Sequence, residues 1–141
     1  MKYLLDTNAV SEPRRRPPDR GYLDWMASRD PADLAISALT FGELKRGITA
    51  LPRGRRRAEL EAWLTEGLST FADRILPVDL SVASAWAEVS VLHRRLGRAV
   101  GVIDELIAAT ALAHGLVVVT RNFRDFEASG CELQVPWSSG T

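Results

Sequence analysis

Short apolar segments that end abruptly in polar residues constrain the fold of this chain more than any other feature. The predicted strand over residues 2–5 is followed at once by Asp6, and the one over 116–120 ends at Thr120 and is followed by Arg121 and Asn122. Such uninterrupted apolar runs are typical of strands buried on both faces of a parallel sheet. Ligands bind outside the carboxyl ends of strands in an open parallel sheet. We therefore expect these polar residues to meet at one edge of the sheet.

The rest of the chain alternates between short apolar segments and segments with helical periodicity. Further strands are predicted over residues 34–37, 74–78 and 132–135. The predicted helices cover about 20–28, 40–51, 60–71, 82–96 and 103–114, with a short helical turn near 124–128. Strands that alternate with helices indicate an α/β fold with a central, mainly parallel sheet. The two helices between the second and third strands form an inserted helical hairpin.

Polar residues and glycine mark the expected ends of several helices. Thr40 is expected to cap the first helix of the hairpin, and Asp79 or Ser81 is expected to cap the helix after the third strand. Gly115 is expected to end the helix over 103–114, because glycine readily adopts the left-handed conformation that closes many helices.

Composition limits the classes of protein that the chain can represent. With 141 residues, 46% of them hydrophobic and 26% charged, the sequence fits a single globular domain over residues 1–141. The one cysteine, Cys131, excludes an internal disulfide and a zinc site built from several thiolates. No apolar run approaches the roughly 18–20 residues of a membrane span, and the N-terminus lacks a signal-peptide pattern. We therefore expect a cytoplasmic protein that does not associate with membranes.

The charges balance overall but cluster locally. The formal net charge is zero, so any binding of nucleic acid has to rely on local basic patches. Two such patches are present, one at Arg14, Arg15 and Arg16 and one at Arg53 with residues 55–57. Nearly all basic residues are arginine, whose guanidinium suits bidentate contacts with phosphate. A bias in genomic base composition would produce the same preference for arginine.

Three acids occur where a parallel sheet would bring them together. Asp6 follows the first strand, Asp104 begins a very apolar helix, and Glu43 lies near the edge of an apolar helical stripe. Carboxylates gathered from distant parts of a chain suggest a divalent-metal site, so metal-dependent phosphate chemistry is the first hypothesis. Each acid also has an ordinary structural explanation: an Asx-turn into a loop for Asp6, a capping box or surface exposure for Glu43, and a favourable first-turn charge for Asp104.

Neighbouring polar residues leave alternatives open. Asn122 could orient water or phosphate, and Asp125 could be a further carboxylate, although the N-cap of the short helix is favoured for it. Glu105 is rotated about 100° from Asp104 and is expected to face solvent. The two histidines belong to no recognised catalytic motif and are interpreted as structural, namely His93 and His114.

Four segments of the chain resemble the motifs of the PIN-domain ribonucleases, and specifically the VapC-type toxins of type II toxin–antitoxin pairs. Residues 4–8 match the opening strand of that family, and residues 37–44 are similar to its second motif, in which a glutamate follows a Ser/Thr-rich start. Residues 104–111 resemble the third motif and residues 120–126 the fourth. Each motif is weak alone, but four in this order are highly specific and extend over nearly the whole chain. Together with residues 135–137, the pattern is closest to the FitB-like branch.

The resemblance implies a fold, a cofactor and a reaction. The fold would be a PIN-like three-layer sandwich, and Asp6, Glu43 and Asp104 would bind Mg²⁺ or Mn²⁺. The reaction would be hydrolysis of RNA by metal-activated water, with no covalent enzyme intermediate. Two departures from the family pattern stand out. The fourth acid of many members falls at Asn122, so that catalytic role is weakened or passes to Asp125, and Glu105 stands where this branch usually has a small residue.

Further residues receive supporting roles on the same basis. Those expected to hold waters or the ligating carboxylates are Thr7, Asn8 and Thr120, with Asn122 beside them. Those expected to contact the phosphate backbone of RNA are Arg14, Arg15, Arg16 and Arg121.

Two other classes of protein remain possible from the sequence. An aspartyl-phosphate protein, either a phosphatase or a receiver domain, could use a similar sheet with Asp6 as the nucleophile. Such proteins usually carry a second acid two residues later and a lysine after a later strand, whereas this chain has Asn8 and Arg121 there. The third possibility is a domain without catalytic activity that binds RNA or a protein partner.

The resemblance also implies a homodimer that binds a cognate small antitoxin. The apolar stripes of the hairpin exceed what a thin layer over the sheet requires, and they comprise Leu44, Ile48, Leu60, Trp63 and Phe71. Surplus apolar surface of this kind is a candidate groove for a partner segment. The same residues could equally be ordinary core.

Overall fold

The computed structural model describes residues 1–138, so residues 139–141 of the predicted domain lie outside the described residues. Five short strands are present, namely β1 (Tyr3–Leu5), β2 (Leu34–Ser37), β3 (Ile75–Leu76), β4 (Val117–Val119) and β5 (Leu133–Gln134). They form one sheet in the order β3-β2-β1-β4-β5. All of its strand pairings are parallel, which confirms the predicted α/β fold and its parallel sheet.

Helices connect the strands throughout residues 1–138. The α-helices are α1 (Thr7–Ser11), α2 (Arg20–Ala27), α3 (Ala38–Thr49), α4 (Arg55–Thr70), α5 (Leu80–Arg95), α6 (Val102–His114) and α7 (Phe123–Phe126). Helices α3 and α4 lie between β2 and β3, so the inserted hairpin is confirmed. The segment after β1 is helical with Asp6 as its N-cap, so the alternative interpretation of Asp6 as an Asx-turn into a loop is wrong.

The alternating side chains of the strands divide the core into two parts. Leu4 of β1 packs on one face of the sheet with Ile107 and Ala108 of α6. The next residue, Leu5, packs on the other face with Tyr22 of α2. Because successive side chains of a strand point to opposite faces, a strand of only three residues contributes to both core layers. The sheet is therefore the middle layer of the predicted three-layer sandwich.

Helix ends depend on which side chain reaches a free backbone amide. The hydroxyl of Ser37 accepts a hydrogen bond from the Leu39 N–H at 3.0 Å and caps α3. The predicted cap at Thr40 is therefore wrong, since Thr40 lies inside the first turn and is fully buried. Asp79 caps α5 by accepting from the Val82 N–H at 3.0 Å, which confirms one of the two predicted residues. Gly115 ends α6 with φ 65°, as predicted.

The hairpin is the least covered part of the described fold. Helix α4 contains 16 residues, and none of them is buried. Helix α4 packs against α3, and its apolar side chains line an apolar groove together with side chains of α1 and α2. Within residues 1–138, the structure contains no helix that is long and apolar enough to cross a membrane.

Candidate active site

Asp6 lies at the carboxyl end of β1 and caps α1. Its Oδ1 accepts a hydrogen bond from the Ala9 N–H at 2.8 Å, and the Thr120 hydroxyl, at the end of β4, donates to the same carboxylate. The side chain is only 4% exposed. Burial, which removes hydration from the charged form, raises the pKa of Asp6 to about 6 against the opposing effect of these donors, and the nearby charge of Glu43 adds to the increase.

Glu43 reaches the same place from α3. The Thr7 hydroxyl donates a hydrogen bond to Glu43 Oε1 at 2.5 Å, which joins the first residue of α1 to α3. The charge of Glu43 contributes to the raised pKa of both Asp6 and Asp104, so the three carboxylates lie within electrostatic reach of one another. One helical turn before Glu43, the buried Thr40 hydroxyl has no hydrogen-bond partner among the described residues.

Asp104 enters the group from the first turn of α6. Burial raises its pKa to about 6, and the charges of Asp125, Asp6 and Glu43 act in the same direction, in that order of size. Protonated Asp104 donates a hydrogen bond to Asp125, which favours the neutral form of Asp104 further. The site therefore contains four interacting acids rather than three.

Asp125 occupies a different place from the one favoured by the sequence. Residue Asn122 holds the N-cap position of α7 without a capping hydrogen bond from its side chain, and Asp125 lies inside the helix. The interpretation of Asp125 as an N-cap is therefore wrong. Instead, the Asn122 side-chain amide donates a hydrogen bond to the Asp125 carboxylate, beside Asp104.

The other predicted supporting residues differ in how they contact the acids. Thr7 and Thr120 each contact a carboxylate through the hydroxyl, and the Thr120 hydroxyl also accepts from the Asn122 N–H at 2.8 Å. Asn8 contributes its backbone N–H to Asp6, and its side chain is exposed. The donors around the site thus come from the ends of β1 and β4, where the sequence predicted them.

The chemistry of these acids fits a hard divalent cation, because their donor atoms are all carboxylate oxygens. Among residues 1–138, however, no three His, Cys, Asp or Glu side chains lie close enough to ligate one ion together. Glu43 and Asp125 are instead held by Thr7 and Asn122. The nearby charges nevertheless raise the pKa of Asp6 and Asp104, and a bound cation would relieve that repulsion. The electrostatic coupling, rather than a preformed ligand sphere, is what indicates a cation site.

The prediction that Glu105 faces solvent is wrong. It is buried, and its Oε2 lies 2.7 Å from Nδ1 of the equally buried His93 on α5. The prediction failed because the α5 layer covers this side of α6, so that a position rotated away from Asp104 points into a helix interface. The pairing agrees with the structural interpretation of His93.

The arginines predicted to contact RNA differ in the residues that they contact. Arg15 remains exposed and lies 3.5 Å from Glu12, and Arg121 lies 3.7 Å from the same carboxylate. The guanidinium of Arg14 stacks 5.7 Å from the centre of the Trp63 ring on α4. Arg16 is exposed.

Glu12 is a buried acid that the sequence analysis missed. It is 2% exposed, and its two oxygens accept hydrogen bonds from the Trp137 indole at 2.7 Å and the Asp19 N–H at 2.9 Å. Together with Arg15 and Arg121, these contacts join the segment after α1 to the chain that follows β5. No local signal identifies such a residue, because Trp137 lies 125 positions away.

Comparison with known proteins agrees with this geometry. The model of the PIN domain family matches residues 3–129. The chain is 39% identical over 135 residues to VapC ribonuclease Y4jK of Sinorhizobium fredii, covering 95% of this chain and 96% of that protein. It is 37% identical over 135 residues to Toxin FitB of Neisseria gonorrhoeae, covering 95% and 97%. The crystal structure of FitAcB from Neisseria gonorrhoeae superposes with a TM-score of 0.91 at 36% identity and covers 96% of this chain and 99% of that one. With its sheet order, its acidic site and its sequence all in agreement, the chain belongs to the PIN-domain family.

Proposed function

We propose that this chain is a metal-dependent endoribonuclease and acts as the toxin of a toxin–antitoxin pair. The observation that carries the proposal is the electrostatic coupling of Asp6, Glu43, Asp104 and Asp125, which come from four distant segments. Its relatives support the same conclusion, since one is named a VapC ribonuclease and another a toxin. The whole chain, residues 1–141, would act as a single domain in the cytoplasm, where its RNA substrate is found.

The proposed cofactor is Mg²⁺ or Mn²⁺, held by Asp6, Glu43 and Asp104, with Asp125 as the fourth acid. Such an ion supplies a Lewis acid that lowers the pKa of a bound water and neutralises charge on a phosphodiester. The residues around the acids fix their orientation. Thr7 holds Glu43, and the Thr120 hydroxyl and the Ala9 N–H hold Asp6.

Asn122 and Asp125 share the role that a single acid plays in many family members. The Asn122 amide donates a hydrogen bond to Asp125, and Asp125 also accepts a hydrogen bond from Asp104 when the Asp104 carboxyl is protonated. Asp125 thereby favours the protonated form of Asp104 and would place a further carboxylate beside the cation. The residues that would contact the RNA backbone are Arg14, Arg15, Arg16 and Arg121. Arg15 and Arg121 lie beside Glu12, and Arg14 covers the Trp63 ring.

The apolar groove beside the hairpin is the proposed binding site for the antitoxin. The groove has a volume of about 310 Å³ and is lined by apolar side chains of α1 to α4, including Met26, Phe41, Trp63, Leu64 and Phe71. An amphipathic antitoxin segment would bury its apolar face there. We also propose that the toxin is a homodimer.

The decisive experiment is cleavage of RNA by the purified protein after metal has been removed and then restored. Wild-type protein should cleave RNA only with Mg²⁺ or Mn²⁺, and Asp104→Asn should abolish cleavage while leaving the circular dichroism spectrum unchanged. Glu88→Gln, which alters an exposed acid of α5, is the matched control and should retain wild-type activity. Cleavage by Asp104→Asn at the wild-type rate would rule out this site. An aspartyl-phosphate enzyme or a binding domain without activity would leave RNA intact under all these conditions.

A further inference from the structure

Two arginine-rich segments that are distant in sequence border one surface depression. Arg14 and Arg15 follow α1, and Arg56 lies in the first turn of α4. All three line a depression whose floor is apolar and includes Leu44 and Leu60 together with Trp63. We call this surface the arginine depression.

The arginine depression is positively charged although the whole chain has a net charge of zero. Its described lining includes three arginines and no aspartate or glutamate. Arg15 is paired with the buried Glu12, but its side chain remains 54% exposed and can still donate outward. Arg14 covers the Trp63 ring, which places a planar cation against an aromatic face at the surface.

The arginine depression adjoins the acidic site directly. Its lining includes Ser11, whose hydroxyl donates to the backbone oxygen of Thr7 at 2.9 Å, and Leu44, the residue after Glu43. Thr7 and Glu43 are themselves joined by a hydrogen bond. The near end of the depression is therefore about one turn of α1 from Thr7, the residue that holds Glu43.

We propose that the arginine depression binds the single-stranded RNA segment that continues from the scissile phosphate. This inference rests on the proposed ribonuclease function and names a subsite for it. Arginine forks match phosphate oxygens, while the apolar floor and the Arg14–Trp63 pair offer faces on which unpaired bases stack. In a duplex the bases are stacked on one another and are not available to this floor. The depression therefore selects unpaired RNA.

An acidic segment of a protein partner is the other class of ligand that this surface could attract. Such a segment would complement the three arginines, but its carboxylates and backbone would gain little from the apolar floor, on which unpaired bases can stack. The position next to the acids favours the substrate. The experiment below separates the two.

The test measures binding of a fluorescein-labelled, mixed-sequence single-stranded oligoribonucleotide in EDTA, at several salt concentrations. Loss of one phosphate contact lowers the slope of log K against log salt by about 0.7 for single strands. We expect this decrease for Arg56→Ala and for Arg14→Ala, and recovery of the slope in Arg56→Lys, which keeps the charge. The matched control is Arg95→Ala, an exposed arginine at the end of α5 in the opposite layer, which should bind as wild type does. The annealed duplex of the same sequence should bind more weakly and should not respond to Arg56→Ala.

A parallel cleavage assay distinguishes failure of the proposed subsite from failure of the proposed ribonuclease function. Arg56→Ala should raise KM several-fold and leave kcat unchanged, because the subsite binds substrate away from the reacting atoms. If wild-type protein cleaves RNA with metal but Arg56→Ala and Arg95→Ala behave alike, the subsite is refuted and the ribonuclease stands. If Arg56→Ala weakens binding of the antitoxin and leaves RNA binding intact, the depression belongs to a protein partner and the proposal is refuted. If wild-type protein neither binds nor cleaves RNA, both proposals fall.

Discussion

Asp6 has two roles that both favour its charged carboxylate, and burial opposes that charge. As the N-cap of α1 it accepts a hydrogen bond from the Ala9 N–H, and as a proposed metal ligand it has to carry a full charge in a buried position. Without metal, burial raises its pKa from 3.8 to about 6. The charged form of Asp6 therefore destabilises the folded, metal-free protein. A bound cation would offset this cost.

Replacing Asp6 with asparagine should stabilise the metal-free protein at neutral pH. Between pH 3.8 and about 6 the folded state binds more protons than the unfolded state, so stability falls as pH rises through this interval. The full cost, about 3 kcal/mol, is present above it. Asparagine removes this cost and can still cap α1. Urea unfolding in EDTA should show Asp6→Asn more stable than wild type at pH 7.5, with the difference narrowing towards pH 4, whereas a less stable variant at pH 7.5 would contradict the argument.

Asp125 should behave as an acid of the site and not as a helix cap. Removing its charge in Asp125→Asn should increase the concentration of Mg²⁺ or Mn²⁺ needed for half-maximal cleavage and lower the pKa of Asp104, because Asp125 is the charged neighbour with the largest effect on that carboxyl. Glu127→Gln is a suitable control on the same segment, since Glu127 is paired with Arg98 on the surface. A capping residue would instead lose about 0.5–2 kcal/mol of stability with no change in the metal requirement.

At the level of elements, the interface between α5 and α6 determines where the acids of α6 point. Small residues such as Ala108 and Ala111 let α6 pack closely between the sheet and α5. Glu105 and His93 pair inside this interface, and the other ring nitrogen of His93 has no partner among the described residues. The pair joins this side of α6 to α5, while Asp104, about 100° around the helix, faces the site.

A double-mutant cycle should reveal this coupling. Glu105→Ala and His93→Ala should each lower the free energy of unfolding by about 1–3 kcal/mol, because each leaves a buried polar partner unsatisfied. The double variant should lose less than the sum, with a coupling of about 0.5–3 kcal/mol in urea unfolding. Glu105→Gln should change the metal requirement less than Glu43→Gln does. Additive losses, or a larger metal effect at Glu105, would mean that Glu105 has another role.

The elements that the sequence predicts well are those whose signals are local. The alternation of apolar segments and helical stripes was sufficient for the parallel sheet, the hairpin and the positions of Asp6 and Asp104. Positions that depend on distant partners could not be predicted. Glu105 is buried by a histidine on another helix, and Glu12 is satisfied by an indole near the end of the chain. The cap of α3 is Ser37 and not the predicted Thr40, because the exact end of β2 decides which hydroxyl reaches the free amide.

At the scale of the whole molecule, the two faces of the sheet are covered unequally. Helices α5 and α6 cover one face closely, whereas the hairpin covers the other face incompletely and leaves α4 without a buried residue. Apolar surface that a single chain leaves exposed in this way is a common mark of an interaction site. The same hairpin also supplies Glu43 to the site, so a partner bound in the groove would contact the helix that carries one of the acids.

The groove should therefore control toxicity without taking part in cleavage. Expressed alone, the protein should slow growth and behave as a homodimer in light scattering, and co-expression of the small antitoxin from a neighbouring reading frame should restore growth. Leu64→Glu places a charge in the groove and should abolish this rescue while RNA cleavage by the purified variant persists. Leu80→Glu, at a leucine of α5 that is 86% exposed, is the matched control and should be rescued like wild type. A monomer that is harmless when expressed, with no such neighbouring reading frame, would count against the toxin proposal. Full rescue of Leu64→Glu would count against the groove as the antitoxin site, because a buried charge without a partner is incompatible with tight apolar packing.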